Sequence, residues 1–340
     1  PTPIMRSFRL IACCAALVPL TAALAPRGTA ITFAPEDGLS LTKTYTQTLN
    51  AELDDIAFNM NGEEVEIEEL PTISITSNES IVLNDTYDTV EGRRATKLTR
   101  VFEELTRSRE QVTEEESMSF EETSELEGLS VTFLWDEDEE AYTTRFTDED
   151  ESADEDLLEE LFADADMLGF LPSDEVEEGD SWSVELDDYR RLFSPSGELT
   201  FLDEEDEPTR DDIDDQIDEN LEGEIECTFA GVEEVDDVRM AVIEFTIEFE
   251  SEGETTEEME VEDDEIDSAN QSRIISIDSE YEGTLYFNLA AGHVASVSIV
   301  GESNFSVEEA MLIVHPEFGE FTQSQTMFFE GELEGEITFE

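Results

Sequence analysis

The chain has 340 residues, of which 93 are aspartate or glutamate and only 16 are lysine or arginine, so its formal net charge is −77 at pH 7. This charge excludes nucleic acid as a partner, because a phosphate backbone requires a basic binding face. Disorder is not expected, since 38% of the residues are hydrophobic and 21 are phenylalanine, which is enough to form a core. So much self-repulsion instead favours a saline or divalent-rich habitat, where salt screens the charge.

Residues 1–30 have the organisation of a secretory signal peptide. Arg6 and Arg9 precede an apolar run that ends at Leu24, and the small-residue triplets Ala23-Leu24-Ala25 and Gly28-Thr29-Ala30 are typical of a cleavage site. The run is shorter than the roughly 20 residues that span a bilayer, and no later segment is apolar enough to do so. We therefore predict an extracytoplasmic protein, periplasmic or secreted, with no transmembrane segment in the mature chain.

Alternation of apolar and polar residues dominates the rest of the chain and is typical of half-buried antiparallel strands. In residues 31–150 it is clearest from Leu129 to Trp135, with shorter stretches at Ile56–Met60 and Ile73–Ile75. In residues 171–340 it recurs in three longer stretches: Ile243–Glu250, Leu285–Ile299 and Met327–Phe339. In the last of these, inward glycines leave room for a neighbouring ring or a bend.

Helical spacing interrupts the strands between these halves. Ser152 and Glu155 form a capping box, and apolar residues then recur at helical intervals as far as Leu168, with Gly169 at the end. The pattern predicts an amphipathic helix in a linking segment, residues 151–170. A weaker helix is predicted from Thr209 to Ile217, and a helical turn at 189–193.

These elements predict a mainly β fold (β-rich α+β) in which antiparallel curved sheets form two halves, accompanied by a few short helices. The predicted organisation is a signal peptide at 1–30, an N-terminal half at 31–150, the linking helix at 151–170 and a C-terminal half at 171–340. Curved sheets of this kind can enclose an apolar pocket, with the linking helix as its lid.

One acidic stretch has the spacing of an EF-hand calcium loop. Its positions 1, 3, 5, 7, 9 and 12 are Asp148, Asp150, Ser152, Asp154, Asp156 and Glu159. Position 6 is Ala153, where the loop needs glycine for its sharp turn, and a strand precedes the loop in place of a helix. A specific calcium site and diffuse, loose association of Ca²⁺ with the acidic faces both remain open, and no other cofactor is expected.

The basic residues are unevenly distributed. Six of them lie within 17 residues, at Arg93, Arg94, Lys97, Arg100, Arg107 and Arg109. This strip predicts a binding site for an anion or a partner. The alternative is that acidic neighbours neutralise these side chains internally, as ordinary ion pairs.

The remaining chemistry-bearing residues indicate no catalytic site. Cys227 lies on the apolar face of a strand, where a cysteine behaves as a small hydrophobe, and Cys13 and Cys14 belong to the signal peptide. His293 and His315 are expected at surface turns and match no zinc-protease spacing. With 93 carboxylates, a paired acid and base cannot be recognised by spacing.

A segment from Leu171 to Trp182 is more distinctive. Its Leu-Pro, Val176 and Gly-Asp-Ser-Trp elements resemble a segment of an uncharacterised family of secreted bacterial proteins rich in β structure, and Gly283–Gly292 matches a later hairpin of that family. The resemblance implies an extracytoplasmic location and a β architecture, with the motifs serving as a turn, a tryptophan anchor and a hairpin. It implies no activity.

Three functions are consistent with these observations. The first is a non-catalytic binding or scaffold protein of the cell envelope, with an unknown apolar ligand or envelope partner. The second is a calcium-associated extracellular adhesive or matrix protein. The third is an extracellular hydrolase whose carboxylate site is hidden among the other acids.

Overall fold

The structure is a computed structural model and describes residues 28–340 apart from 66, 68, 115, 149–152, 160, 198, 203–215, 218–219, 260–267 and 316–318. Residues 1–27 of the predicted signal peptide lie outside this part of the chain, and so does most of the helix predicted from Thr209 to Ile217. No helix within the described ranges is long and apolar enough to cross a membrane.

The described residues form fourteen strands and very little helix. The strands are β1 (Ser40–Met60), β2 (Glu63–Val65), β3 (Ile73–Glu91), β4 (Arg94–Thr113), β5 (Ser117–Ser124), β6 (Ser130–Asp136), β7 (Ala141–Phe146), β8 (Ser181–Val184), β9 (Phe201–Leu202), β10 (Glu222–Val235), β11 (Val238–Met259), β12 (Ser268–Asn288), β13 (His293–His315) and β14 (Gly319–Phe339). Helix α1 (Arg190–Phe193) continues from a 3₁₀ turn at Leu186–Tyr189, and further 3₁₀ turns lie at Glu155–Leu158 and Leu168–Phe170.

All the strands belong to one antiparallel sheet. The order is β7-β6-β4-β3-β1-β14-β13-β12-β11-β10-β8, with β2 added to β1, and β5 joining β4 to β9. The mainly β prediction is confirmed. The two predicted halves are joined in a single sheet, because β1 pairs with β14 from Lys43 opposite Phe339 to Met60 opposite Gln323.

The alternating pattern gives the sheet an apolar inner face and an acidic outer face. Inner residues such as Phe102, Phe245 and Phe287 are buried in one large core. A smaller cluster of Ala51, Ile75 and Phe329 lies further along the sheet. The core is closed by residues 153–202, which we call the strap, because Ala165, Met167 and Phe170 are buried in the same cluster.

The outer face places glutamates directly opposite one another. Five strands contribute one exposed glutamate each to a transverse row, the glutamate row, consisting of Glu224, Glu248, Glu280, Glu302 and Glu332. Neighbouring strands lie only about 4.8 Å apart, and directly opposed like charges destabilise a sheet. Stability of this face therefore depends on screening by salt.

Inward glycines allow neighbouring strands to approach closely. The sequence pattern of β14 predicts this for Gly331 and Gly335. A Cβ on Gly335 would lie 2.7 Å from Ile299 Cγ2, and a Cβ on Gly331 would lie 2.6 Å from the carbonyl oxygen of Ser303. The tightest contact with a ring is at Gly283 in β12, where a Cβ would lie 2.1 Å from Phe245 Cζ. Any side chain at these positions would separate the strands.

The linking helix predicted for residues 151–170 is wrong for the part that the structure describes. Between the 3₁₀ turns at Glu155–Leu158 and Leu168–Phe170 the backbone is irregular, with Leu161, Ala163 and Ala165 buried at alternate positions. The carbonyl groups of Phe162 and Ala163 accept hydrogen bonds from the Arg100 side chain of the sheet. In a helix these carbonyl groups would accept from backbone N–H groups of the same helix. Tertiary hydrogen bonds thus override the local helical preference.

The Gly-Asp-Ser-Trp segment forms a turn followed by a strand. Gly179 has φ of 91°, a left-handed conformation that glycine adopts at little cost. The Asp180 carboxylate closes the turn by accepting the backbone N–H of Glu177 at 2.8 Å. The chain then continues as β8, and Trp182 packs against the main core. Each element of the motif has a structural role here.

Candidate functional site

A buried cluster of charged side chains fastens the strap to the sheet. Strands β1, β3 and β4 supply Lys43, Asp85 and Arg100 to positions where an alternating strand would place apolar residues. The strap supplies Asp166, which is also buried. Charges removed from water require close partners, so the geometry of this cluster decides whether it stabilises the fold.

Every charge of the cluster has a partner at short distance. Arg100 donates two hydrogen bonds to the carboxylate of Asp85, each of 2.7 Å, in a bidentate arrangement. Lys43 Nζ lies 2.6 Å from Asp85 Oδ2 and 2.8 Å from Asp166 Oδ1, which places it between the two acids. Two cations and two carboxylates are therefore mutually neutralised.

Hydrogen bonds from the sheet to the strap backbone complete the attachment. Arg100 Nη1 and Nη2 donate to the carbonyl groups of Phe162 and Ala163 at 3.1 Å and 2.9 Å. Tyr45 donates its hydroxyl proton to the Ala165 carbonyl at 2.7 Å, and Tyr87 donates to Asp166. Residues 162–166 are thereby held against the sheet without regular secondary structure of their own.

The pKa values follow from burial and from these charges. Burial alone would raise the pKa of Asp85, but Arg100 and Lys43 outweigh it and hold the pKa below its ordinary value. Burial, assisted by the charge of Asp166, raises the pKa of Tyr87 well above its usual range. At neutral pH the acid is therefore ionised and the tyrosine is a neutral donor.

The pKa of the Asp164 carboxyl group in the strap is raised towards physiological pH. Burial, and then the negative charge of Asp166, raises the pKa of Asp164 to about 6, although Arg191 opposes the shift. Arg191 Nε lies 3.1 Å from Asp164 Oδ2, and the backbone N–H of Asp166 donates to Asp164 Oδ1 at 2.9 Å. Protonation of Asp164 would weaken the contact with Arg191.

The charged cluster attaches the strap to the sheet and is not a reaction centre. Asp85, Lys43 and Arg100 are fully buried, and each already bonds to another member of the cluster. A substrate would have to displace the strap to reach them. The site available to a ligand lies elsewhere on the inner face.

That site is an open groove beside the strap, with a volume of about 550 Å³. Its floor is the inner face of the sheet, and its wall is the segment that follows α1. The apolar lining is extensive and comprises Leu49, Ile75, Ile81, Phe193, Leu199, Phe201, Ile217, Ile277 and Phe305. Nine of the 17 lining residues are thus apolar, and the volume lies within the range of ligand sites in proteins.

Polar groups occupy one side of the groove, along β3, β4 and β5. Arg107 Nε donates to Glu79 Oε2 at 2.8 Å, and Arg107 Nη1 lies 3.8 Å from Glu122 Oε2. Gln47 donates a further hydrogen bond of 2.8 Å to Glu79. Burial raises the pKa of Glu79 despite the opposing charge of Arg107. Arg109, two residues beyond Arg107, also lines the groove.

A larger concavity of about 910 Å³ lies on the acidic side of the sheet. Its lining combines carboxylates, such as Asp54, Glu222 and Glu330, with apolar residues, such as Leu221 and Phe328. We place the candidate site in the groove on the inner face, because the strap forms a wall there and two arginines, Arg107 and Arg109, lie beside the apolar residues.

The six basic residues predicted as a strip have different environments. Arg93 donates to the Pro172 carbonyl at 3.3 Å, and the guanidinium of Arg94 lies 3.5 Å from the ring centre of Trp135. Lys97 Nζ lies 3.0 Å from Asp88, while Arg100 belongs to the buried cluster. Only Arg107 and Arg109 line the groove. A binding role for the strip stays a prediction, and for Arg109 it is developed below.

The predicted calcium loop falls partly outside the described residues, because Asp150 and Ser152 are not among them. Asp154 caps the 3₁₀ turn at Glu155–Leu158 by accepting the N–H of Asp156 at 3.2 Å. Asp148, Asp156 and Glu159 are described, and within the described chain no group of three or more His, Cys, Asp or Glu side chains is arranged to hold a metal ion. The calcium site stays a prediction.

Cys227 and His293 are both buried. Burial, followed by the charge of Glu226, raises the pKa of the Cys227 thiol to about 12, so it remains a protonated core residue as predicted. The surface position expected for His293 is wrong, since this side chain is only 8% exposed and its Nδ1 lies 2.6 Å from the Val294 carbonyl oxygen. The side chain of His315 is not described.

Comparison with known proteins adds little. No protein-family model matches the chain, and no curated protein matches it. Among solved structures, an outer membrane channel from Pseudomonas putida F1 aligns with 91% of this chain and 97% of its own, at 9% identity and a TM-score of 0.18. OccK11 of Pseudomonas aeruginosa covers 88% of this chain and 98% of its own, at 9% identity and a TM-score of 0.12. Scores this low carry no argument about fold or function.

Sequence reasoning missed the buried cluster, although a signal for it was present. Lys43 lies between Leu41 and Tyr45 in the inward register of β1, and Asp85 lies between Leu83 and Tyr87 in that of β3. A charge at an inward position is costly unless it is paired. Two such interruptions of opposite sign predict an ion pair, but only the strand register shows that they meet.

Proposed function

We propose that the protein is a non-catalytic binding protein that holds an apolar ligand in the groove beside the strap. The observation that carries the proposal is the apolar lining of a cavity of about 550 Å³ that remains open next to a well-filled core. In the part of the chain that the structure describes, Phe193, Phe201 and Phe305 line a space that no side chain fills, and so they forgo contacts that a scaffold would make. A ligand that covers them would restore those contacts.

Rigidity of the groove also supports a binding role. The charged cluster and the tyrosine hydrogen bonds fix residues 162–166 of the strap against the sheet. In the wall itself, the carbonyl group of Leu199 accepts a hydrogen bond from the Ser124 hydroxyl of β5. Ring contacts extend the attachment, since Phe193 lies 5.8 Å from Tyr281 and Tyr189 lies 4.5 Å from Phe249, measured between ring centres. A wall held in place reduces the entropy lost on binding.

The proposed location is extracytoplasmic, in the periplasm or outside the cell. Support comes from the organisation of residues 1–30 as a signal peptide and from an acidity that suits a saline environment. An apolar molecule crossing an aqueous compartment needs a protein that shields it, which is the role we assign to the groove.

The test is binding of the neutral apolar probe N-phenyl-1-naphthylamine, measured by its fluorescence. The variant Ser77→Trp fills the groove with an indole ring and should abolish the fluorescence increase. The matched control is Ser74→Trp, which introduces the same ring on the opposite face of β3 and outside the groove lining. Equal probe binding in both variants would refute the proposed site, and absence of binding in the unmodified protein would refute the function.

A further inference from the structure

Arg109 lines the groove as an exposed cation, and the carboxylates of Glu79 and Glu122 line the same groove. Within the described part of the chain it has no ion-pair or hydrogen-bond partner. Arg107, two residues before it, is engaged by both nearby acids, Glu79 and Glu122. Arg107 lies about 6–7 Å away along β4, which is the rise of two strand residues, and the described ion pairs of Glu79 and Glu122 are with Arg107.

The surroundings of Arg109 are suited to an amphiphile. Ser77 and Phe120 lie directly opposite it on the two neighbouring strands. Phe120 is 48% exposed, and the groove floor beyond Ser77 continues through Ile75 to Phe305. One cationic group thus lies at the polar side of a continuous apolar surface.

We infer that the groove takes single-chain amphiphiles with one anionic headgroup, a carboxylate or a phosphate monoester, which the guanidinium of Arg109 contacts. This inference rests on the proposed function. The planar fork of arginine matches both headgroups, because two parallel N–H groups reach two oxygen atoms. The acyl chain then lies against Ile75 and Phe305.

The proposed preference for anionic amphiphiles is opposite to the preference that the overall charge of the chain would produce. A chain with a net charge of −77 attracts cationic amphiphiles and repels anionic ones. In about 1 M sodium chloride the Debye length falls to about 3 Å, so distant carboxylates are screened while a direct contact with Arg109 persists. A preference for an anion under these conditions must come from a local contact.

The experiment is displacement of N-phenyl-1-naphthylamine by four amphiphiles of equal chain length, namely dodecanoate, dodecyl phosphate, dodecanol and dodecylamine. We expect the unmodified protein to bind the better of the two anions about tenfold more tightly than dodecanol, because one charge-assisted hydrogen bond contributes about that factor in affinity. Arg109→Gln should abolish this preference, and Arg109→Lys should retain part of it. The control is Arg145→Gln, an exposed arginine of β7 that does not line the groove.

Which headgroup Arg109 contacts follows from which anion loses affinity in Arg109→Gln. Equal affinity for dodecanol and both anions, tightest binding of dodecylamine, or an anion preference that survives Arg109→Gln would each overturn the inference. Those three results leave the proposed function intact, because an apolar ligand still binds. Failure of all four amphiphiles and of the probe would overturn both.

Discussion

Replacement of Arg100 with methionine tests whether the buried cluster fastens the strap. Methionine fits the length of the arginine stem but removes the four hydrogen bonds that the guanidinium donates. Two of these go to the carboxylate of Asp85, and one each to the carbonyl groups of Phe162 and Ala163. Asp85 would keep only Lys43, and the two strap carbonyl groups would lose their donor.

The expected loss of stability is large. Removal of one partner of a buried ion pair costs about 3–5 kcal/mol, because the remaining charge stays buried without compensation. An unsatisfied buried carbonyl group adds about 1–3 kcal/mol if water cannot reach it. These contributions overlap, so we expect the free energy of unfolding to fall by about 4–6 kcal/mol.

The measurement is urea denaturation in about 1 M sodium chloride, followed by circular dichroism, so that the acidic faces are screened equally in every variant. Arg145→Met is the matched control, since Arg145 is exposed, and it should change the stability by less than about 0.5 kcal/mol. The double variant Arg100→Met/Asp85→Leu removes both charges of the pair and should recover part of the loss. A loss below about 1 kcal/mol for Arg100→Met alone would show that the cluster does not hold the strap.

Two further predictions concern charge. Asp164 has a raised pKa in the folded state, so its contribution to stability is complete at low pH and is lost as pH rises through about 6. The stability of Asp164→Asn relative to the unmodified protein should therefore increase by about 2 kcal/mol between about pH 4 and pH 7 in urea denaturation, and a constant difference would contradict the assigned pKa. In the glutamate row, Glu280→Gln should raise the thermal stability at low salt by about 0.5–1 kcal/mol and by much less at about 1 M salt. Glu244→Gln is its control, because Glu244 lies opposite Thr228 and Thr284, and an equal effect of both changes at low salt would contradict the role of the row.

The groove could be anticipated only in outline. An apolar pocket between curved sheet and lid follows from the alternating pattern, but the lid was expected to be a helix at 151–170. Helical spacing of Leu157, Leu158 and Leu161 was genuine, yet the carbonyl groups of this segment bond to Arg100 and Tyr45. A local pattern cannot include donors that are more than 60 residues away in the chain.

The basic residues show the same limit of inference from local sequence. Six cations within 17 residues suggested one strip, whereas their side chains have separate partners that range from Trp135 to Asp85. Only the strand pairing brings Arg107 next to Glu79 and leaves Arg109 in the groove without a described partner. The sequence showed that Arg100, Arg107 and Arg109 lie within ten residues of one another but could not state what each would face.

The alternation of apolar and acidic residues by itself determined a β protein whose sheet has one solvent-exposed and one buried face. The reason is that the side chains of a strand point alternately to its two sides. The glycines at the inward positions 331 and 335 also determined that neighbouring strands can approach closely there. Tertiary structure alone decided that β1 pairs with β14, that Lys43 and Asp85 meet under the strap, and that the groove stays open beside Phe305. These depend on contacts between residues distant in the chain, which the period of a single strand does not encode.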